Sequence, residues 1–139
     1  AESVVHKYLL ALQWKKGAKE WRSLKDREKT FFKKVSEDMG GNTPVLYALT
    51  KLLNDIGSNF VSEGIAWISD LLLKNPDLSR KELEVNTVYY LENLVRSYIL
   101  KNGQKIKTDP QLKKQILIIL DFLLEKASVT AYLLRESVL

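Results

Sequence analysis

Cysteine is absent from this 139-residue chain. Its absence removes disulfides, thiolate metal sites and thiol nucleophiles together. Histidine occurs once, as His6, so imidazole chemistry has one candidate. His6 stands among Val4, Val5, Tyr8 and Leu9 and reads as a packing or surface residue rather than a general base. Long apolar runs are also lacking. None exceeds five residues, and the one from Ile116 to Leu120 is broken by Asp121 and resumes from Phe122 to Leu124. A membrane-spanning helix needs about 20 apolar residues, so this stretch reads as a buried core helix. The first residues include Glu2, His6 and Lys7 and show no signal-peptide pattern. No Asn is followed two residues on by Ser or Thr, so there is no glycosylation acceptor. An intracellular setting, cytoplasmic or nuclear, fits these absences.

What is present is an ordinary globular balance, 45% hydrophobic and 28% charged. The length suits one domain over residues 1–139, and a core of that size needs neither disulfides nor metal. The chain opens on Ala and ends on Leu139 within an apolar helical pattern, so a fragment of a longer protein is expected. The three prolines and few glycines stand at breaks in apolar periodicity. Asn42-Thr43-Pro44 and Asp109-Pro110 pair a capping side chain with a proline preset for a first helical turn. Asn75-Pro76 follows an apolar segment and reads as a stop. Ser79-Arg80-Lys81-Glu82 has the form of a capping box opening the next helix, and Asn102-Gly103 that of its close.

Seven apolar faces of helical period lie between these marks. The first holds Val4, Val5, Tyr8, Leu9 and Leu12, and the second runs from Trp21 to Val35 with Phe31 and Phe32. The third holds Val45, Leu49, Leu52, Leu53 and Ile56. The fourth holds Val61, Ile65, Ile68, Leu71 and Leu72. The fifth is long and holds Val85, Val88, Tyr89, Leu91, Leu94, Val95, Tyr98 and Ile99. The sixth, with Leu112, Ile116, Ile119, Leu120 and Leu123, is apolar nearly all round and should lie at the centre. Val129, Tyr132, Leu133 and Val138 begin the seventh. No period-2 strand pattern competes, so an all-α fold of about seven helices is expected.

Helix pairs such as Thr43–Ile56 followed by Ser62–Leu73 are expected to begin near residues 44 and 81, and the seventh helix near 128, at intervals of 37 and 47 residues. Armadillo and HEAT units repeat about every 40–47 residues, and residues 43–139 resemble that architecture in helix spacing. The resemblance implies antiparallel helix pairs stacked into a superhelical segment. It rests on no family motif, so it transfers no functional residue. A compact helical bundle gives the same pattern.

No constellation of nucleophile, base or paired acids appears, so neither an enzyme nor a cofactor or metal site is expected. Gly40-Gly41-Asn42-Thr43 precedes a helix but lacks the Lys-Ser/Thr of a phosphate loop and reads as a plain connection. Glu82 and Glu84, two apart, would point away from each other on a helix. The sharpest compositional feature is a stripe of nine bases: Lys15, Lys16, Lys19, Arg22, Lys25, Arg27, Lys29, Lys33 and Lys34. With Glu20, Asp26 and Glu28 among them its formal charge is +6 within a chain total of +5. Such a stripe is either a solvated helix face or a patch for an acidic partner or nucleic acid. The favoured function is a protein-interaction scaffold, with another protein or the rest of the parent chain held along a helical groove. Tyr90 and Arg96, on the helix with more aromatic residues than one core face absorbs, are the expected anchors, with Trp67 a third. The adjacent rings of Tyr89 and Tyr90, about 100° apart, are expected to diverge. The alternative function is nucleic-acid or phosphate binding through the basic stripe.

Overall fold

A computed structural model describes residues 26–39, 41–56 and 61–139, and among these every regular element is helical. They form six α-helices: α1 (Asp26–Met39), α2 (Thr43–Ile56), α3 (Val61–Lys74), α4 (Thr87–Thr108), α5 (Pro110–Glu125) and α6 (Val129–Val138). A 3₁₀ turn, Pro76–Ser79, follows α3. Six helices thus stand where the periodicity suggests seven. They answer to the second through seventh apolar faces, while the first, from Val4 to Leu12, lies outside the described residues.

Capping chemistry sets several of the boundaries. Asn42 Oδ1 accepts the Val45 N–H at 3.0 Å, and Asp109 Oδ1 accepts those of Gln111 and Leu112 at 3.1 Å each. Each bond satisfies an amide with no intrahelical partner. At the end of α3, Asn75 turns its amide back onto the Leu71 carbonyl at 2.8 Å, and Pro76 begins the 3₁₀ turn.

Two expected boundaries are corrected. Ser79 and Glu82 do not form a capping box, because the Ser79 hydroxyl bonds the Pro76 carbonyl and closes the 3₁₀ turn. The chain reaches α4 only at Thr87, through a turn in which Thr87 N–H donates to the Glu84 carbonyl at 3.1 Å. Asn86 occupies φ 74°, ψ −3° in that turn, as the third residue of a type II turn requires and Asn tolerates. Val85 is therefore not part of a helical face and is 82% exposed. Asn102-Gly103 kinks α4 without ending it. Asn102 leaves helical geometry and its amide bonds the Tyr98 carbonyl, after which the helix runs on to Thr108 with Ile106 fully buried.

Packing follows a regular rule. Each helix lies against the one after next: α1 on α3, α2 on α4, α3 on α5 and α4 on α6. The odd-numbered helices form one layer and the even-numbered helices another. Lys81 Nζ donates to the Gly41 carbonyl at 3.1 Å and Lys126 Nζ to the Lys81 carbonyl. These bonds gather the loops before α2, α4 and α6, so all three even helices begin at one end. Their starts, Thr43, Thr87 and Val129, stand 44 and 42 residues apart.

The core lies between the layers. Ile116, Ile119, Leu120 and Leu123 of α5 are completely buried, and α5 packs against α3, α4 and α6. Gly64 lets α3 pass close to α2, since a Cβ there would stand 2.8 Å from the Leu53 Cδ2. The expected face of the last helix is corrected. Val138 is buried as expected, but Val129, Tyr132 and Leu133 are exposed and Ala131 is buried in their place.

Candidate interaction surface

α4 is the middle helix of the even layer, and its sequence divides its two sides. Leu91, Leu94, Val95, Tyr98 and Ile99 face the core, where the Tyr98 hydroxyl meets Ser62 Oγ at 3.1 Å. Tyr89, Asn93, Arg96 and Leu100 are spaced by four, three and four residues, so they share one stripe. That stripe faces outward. Tyr89 is 56% exposed, Leu100 is 78% exposed, Arg96 is exposed and Asn93 is half-buried.

Two neighbours extend it. On one flank the Tyr90 ring stands 5.9 Å from that of Tyr47 on α2 and 5.9 Å from that of Tyr89, both pairs tilted. The rings of Tyr89 and Tyr90 therefore do not diverge as expected. Tyr47 draws Tyr90 into a three-ring cluster across α2 and α4, at centroid separations that favour aromatic pairs. On the other flank Arg96 donates to Asn93 Oδ1 at 3.3 Å and to Thr130 Oγ1 on α6 at 3.4 Å. One turn earlier Ser128 Oγ donates to the Glu92 carboxylate while accepting the Ala131 N–H, which ties the α6 cap to α4. Leu133, 65% exposed, follows Thr130 by one helical turn on α6, as Leu100 follows Arg96 on α4.

The three expected anchors have different neighbours. Tyr90 meets α2, Arg96 meets α6, and Trp67 of α3 is half-buried in the odd layer. Trp67 lines two small clefts, one of about 10 Å³ with Phe32, Leu52 and Ile68 and one of about 20 Å³ with Lys33, Glu37 and Asp70. Both fall below the roughly 300–1,000 Å³ of small-molecule sites. The residue that joins the tyrosine cluster to Arg96 is Tyr89, expected on the fifth apolar face and instead exposed. Its seven-residue spacing to Arg96, two helical turns, was the available signal.

Of the basic stripe, Lys15, Lys16, Lys19, Arg22 and Lys25, and the side chains of Arg27 and Lys29, lie outside the described residues. Lys33 and Lys34 are exposed on α1, and Lys34 pairs with Asp38 one turn on at 3.3 Å. The Gly41 loop packs inward, since a Cβ on Gly41 would stand 2.6 Å from Asn75 Oδ1. His6 lies outside the described residues. Glu82 and Glu84 are exposed in the loop before α4. Among the described residues no cluster of His, Asp or Glu could hold a metal ion, and no helix is long and apolar enough to cross a membrane.

Comparison with protein-family models and with curated proteins finds no match for this chain.

Proposed function

We propose that this chain is a protein-interaction scaffold whose partner lies along the outer face of the even helices, over Tyr47, Tyr90, Tyr89, Arg96 and Leu100. The observation that carries the reading is the alignment of exposed Tyr89, Arg96 and Leu100 on one stripe of α4, continued onto α2 by packed tyrosine rings. Interfaces concentrate binding energy in a few Tyr, Trp and Arg anchors. Rings held by neighbouring rings lose little freedom on binding.

The armadillo/HEAT-like stacking belongs to the same proposal. Packing of each helix on the one after next, and even-helix starts 44 and 42 residues apart, support it. Stacked helix pairs expose one layer as a continuous binding surface. No enzymatic role is part of the reading.

The test is a binding comparison on variants. Changing Tyr89, Tyr90 or Arg96 to Ala should each weaken a protein partner by about 1–2 kcal/mol, roughly 5- to 30-fold, with helix content unchanged. Changing Lys15, Lys16, Lys19 and Lys33 to Gln should leave binding nearly normal. The reverse pattern, with nuclease abolishing capture, favours nucleic acid at the basic stripe.

A further inference from the structure

The two helical layers differ in charge. The even helices carry six bases and three acids, the odd helices seven bases and eight acids. The excess is concentrated on α4, with Arg96, Lys101, Lys105 and Lys107 against Glu92 alone. Glu92 is half-buried and receives the Ser128 hydroxyl. The acid on α6, Glu136, stands one turn beyond Leu133. Arg96 bonds only neutral oxygens, those of Asn93 and Thr130, and among the described residues no carboxylate lies in ion-pair distance of it. An exposed guanidinium held by weak neutral bonds keeps donors free for a carboxylate fork.

Resting on the scaffold reading above, we infer that the partner at this face is an extended acidic peptide. Its carboxylate would engage Arg96, and apolar side chains on either side of that carboxylate would lie on Tyr89 and on Leu100 with Leu133. Spacing sets the register. Tyr89 and Arg96 are seven residues apart, about 10 Å along the helix at 1.5 Å per residue. An extended peptide rises about 3.3 Å per residue, so three residues span that distance. Arg96 and Leu100 are four residues apart, about 6 Å, which two peptide residues span. The recognition pattern is therefore an apolar residue, an acid three positions on and a second apolar residue two positions after that, or its reverse. Nearby Lys101, exposed on the next turn, favours further acids beyond the second anchor.

The probe is a 12-residue peptide with the core Leu-Ala-Ala-Glu-Ala-Leu flanked by Asp and Ser, beside a copy with every acid replaced by its amide. Each is titrated into the ¹⁵N-labelled 139-residue chain. The acidic peptide should shift amides of residues 89–100 and 130–133 and bind at least tenfold tighter than its amide copy. Arg96→Gln, which keeps an amide donor for Thr130, should erase that tenfold difference. Tyr89→Ala should weaken both peptides. If the amide copy binds the same face equally well, the charge inference is overturned and the scaffold reading stands. If neither peptide shifts that face, or the shifts fall on residues 15–34, both are overturned.

Discussion

Ala127 offers a quantitative test of how α5 passes the chain to α6. The Ala127 N–H donates to the Leu124 carbonyl at 2.9 Å and the Ser128 N–H to that of Leu123 at 3.0 Å. These are the two bonds of a Schellman motif, with Ala127 in its left-handed position at φ 62°. A Cβ in that conformation costs about 1–2 kcal/mol. Glycine removes the clash but gives the unfolded chain more freedom, which offsets about 0.5–1 kcal/mol. Ala127 is exposed, so no packing is lost. Ala127→Gly should therefore raise stability by about 0.5–1 kcal/mol. At roughly 2.1 cal/mol/K of unfolding entropy per residue, a chain this long should gain about 2–3 °C in Tm. Ala127→Val should move the other way, because a β-branched side chain fits positive φ worst. Urea denaturation of the three proteins checks the order Gly, Ala, Val. If glycine instead lowers stability by about 1 kcal/mol, as inside a helix, residue 127 is helical and the turn lies elsewhere.

Two further stability predictions probe the core. Leu120 is completely buried on α5, so Leu120→Ala should cost about 2–5 kcal/mol, and an unchanged denaturation midpoint would put that helix at the surface. The Thr87 hydroxyl is buried at the start of α4 without a hydrogen-bond partner, so the near-isosteric Thr87→Val should stabilise by about 1 kcal/mol. A loss in that variant would show that the hydroxyl is satisfied in solution.

Much of the fold was legible because local chemistry and tertiary packing agree. Asn42 and Asp109 cap the helices their sequence marks, and the all-round apolar pattern of α5 corresponds to its central place. The misreadings arose where one string serves two structures. Ser79-x-x-Glu82 matches a capping box, yet Asn75-Pro76 had already committed the chain to a 3₁₀ turn that uses the Ser79 hydroxyl. Asn102-Gly103 matches a helix stop, but Ile106 has a buried site waiting, and the helix resumes after a kink. At α6 the larger side chains suggested the buried face, whereas close packing takes small Ala131 and leaves Val129, Tyr132 and Leu133 outside. The interaction surface was only partly legible. Tyr90 and Arg96 were identifiable as surplus to one core face, but the pairing of Tyr90 with Tyr47 is a contact across 43 residues of sequence that helical period cannot reveal.

The central claim is that binding uses the outer face of the even helices and not the Lys15–Lys34 stripe. It is tested most directly by titrating a protein partner calorimetrically against three proteins at 50 and 200 mM salt. These are the wild type, the Tyr89→Ala/Arg96→Ala pair, and the variant with Lys15, Lys16, Lys19 and Lys33 changed to Gln. The account predicts a loss of about 30-fold or more in the paired variant, near-normal binding in the lysine variant, and a salt effect below about tenfold, as one or two charge contacts give. Near-normal binding by the paired variant, with the lysine variant inactive and affinity falling about 10³-fold or more over the same salt range, would contradict it.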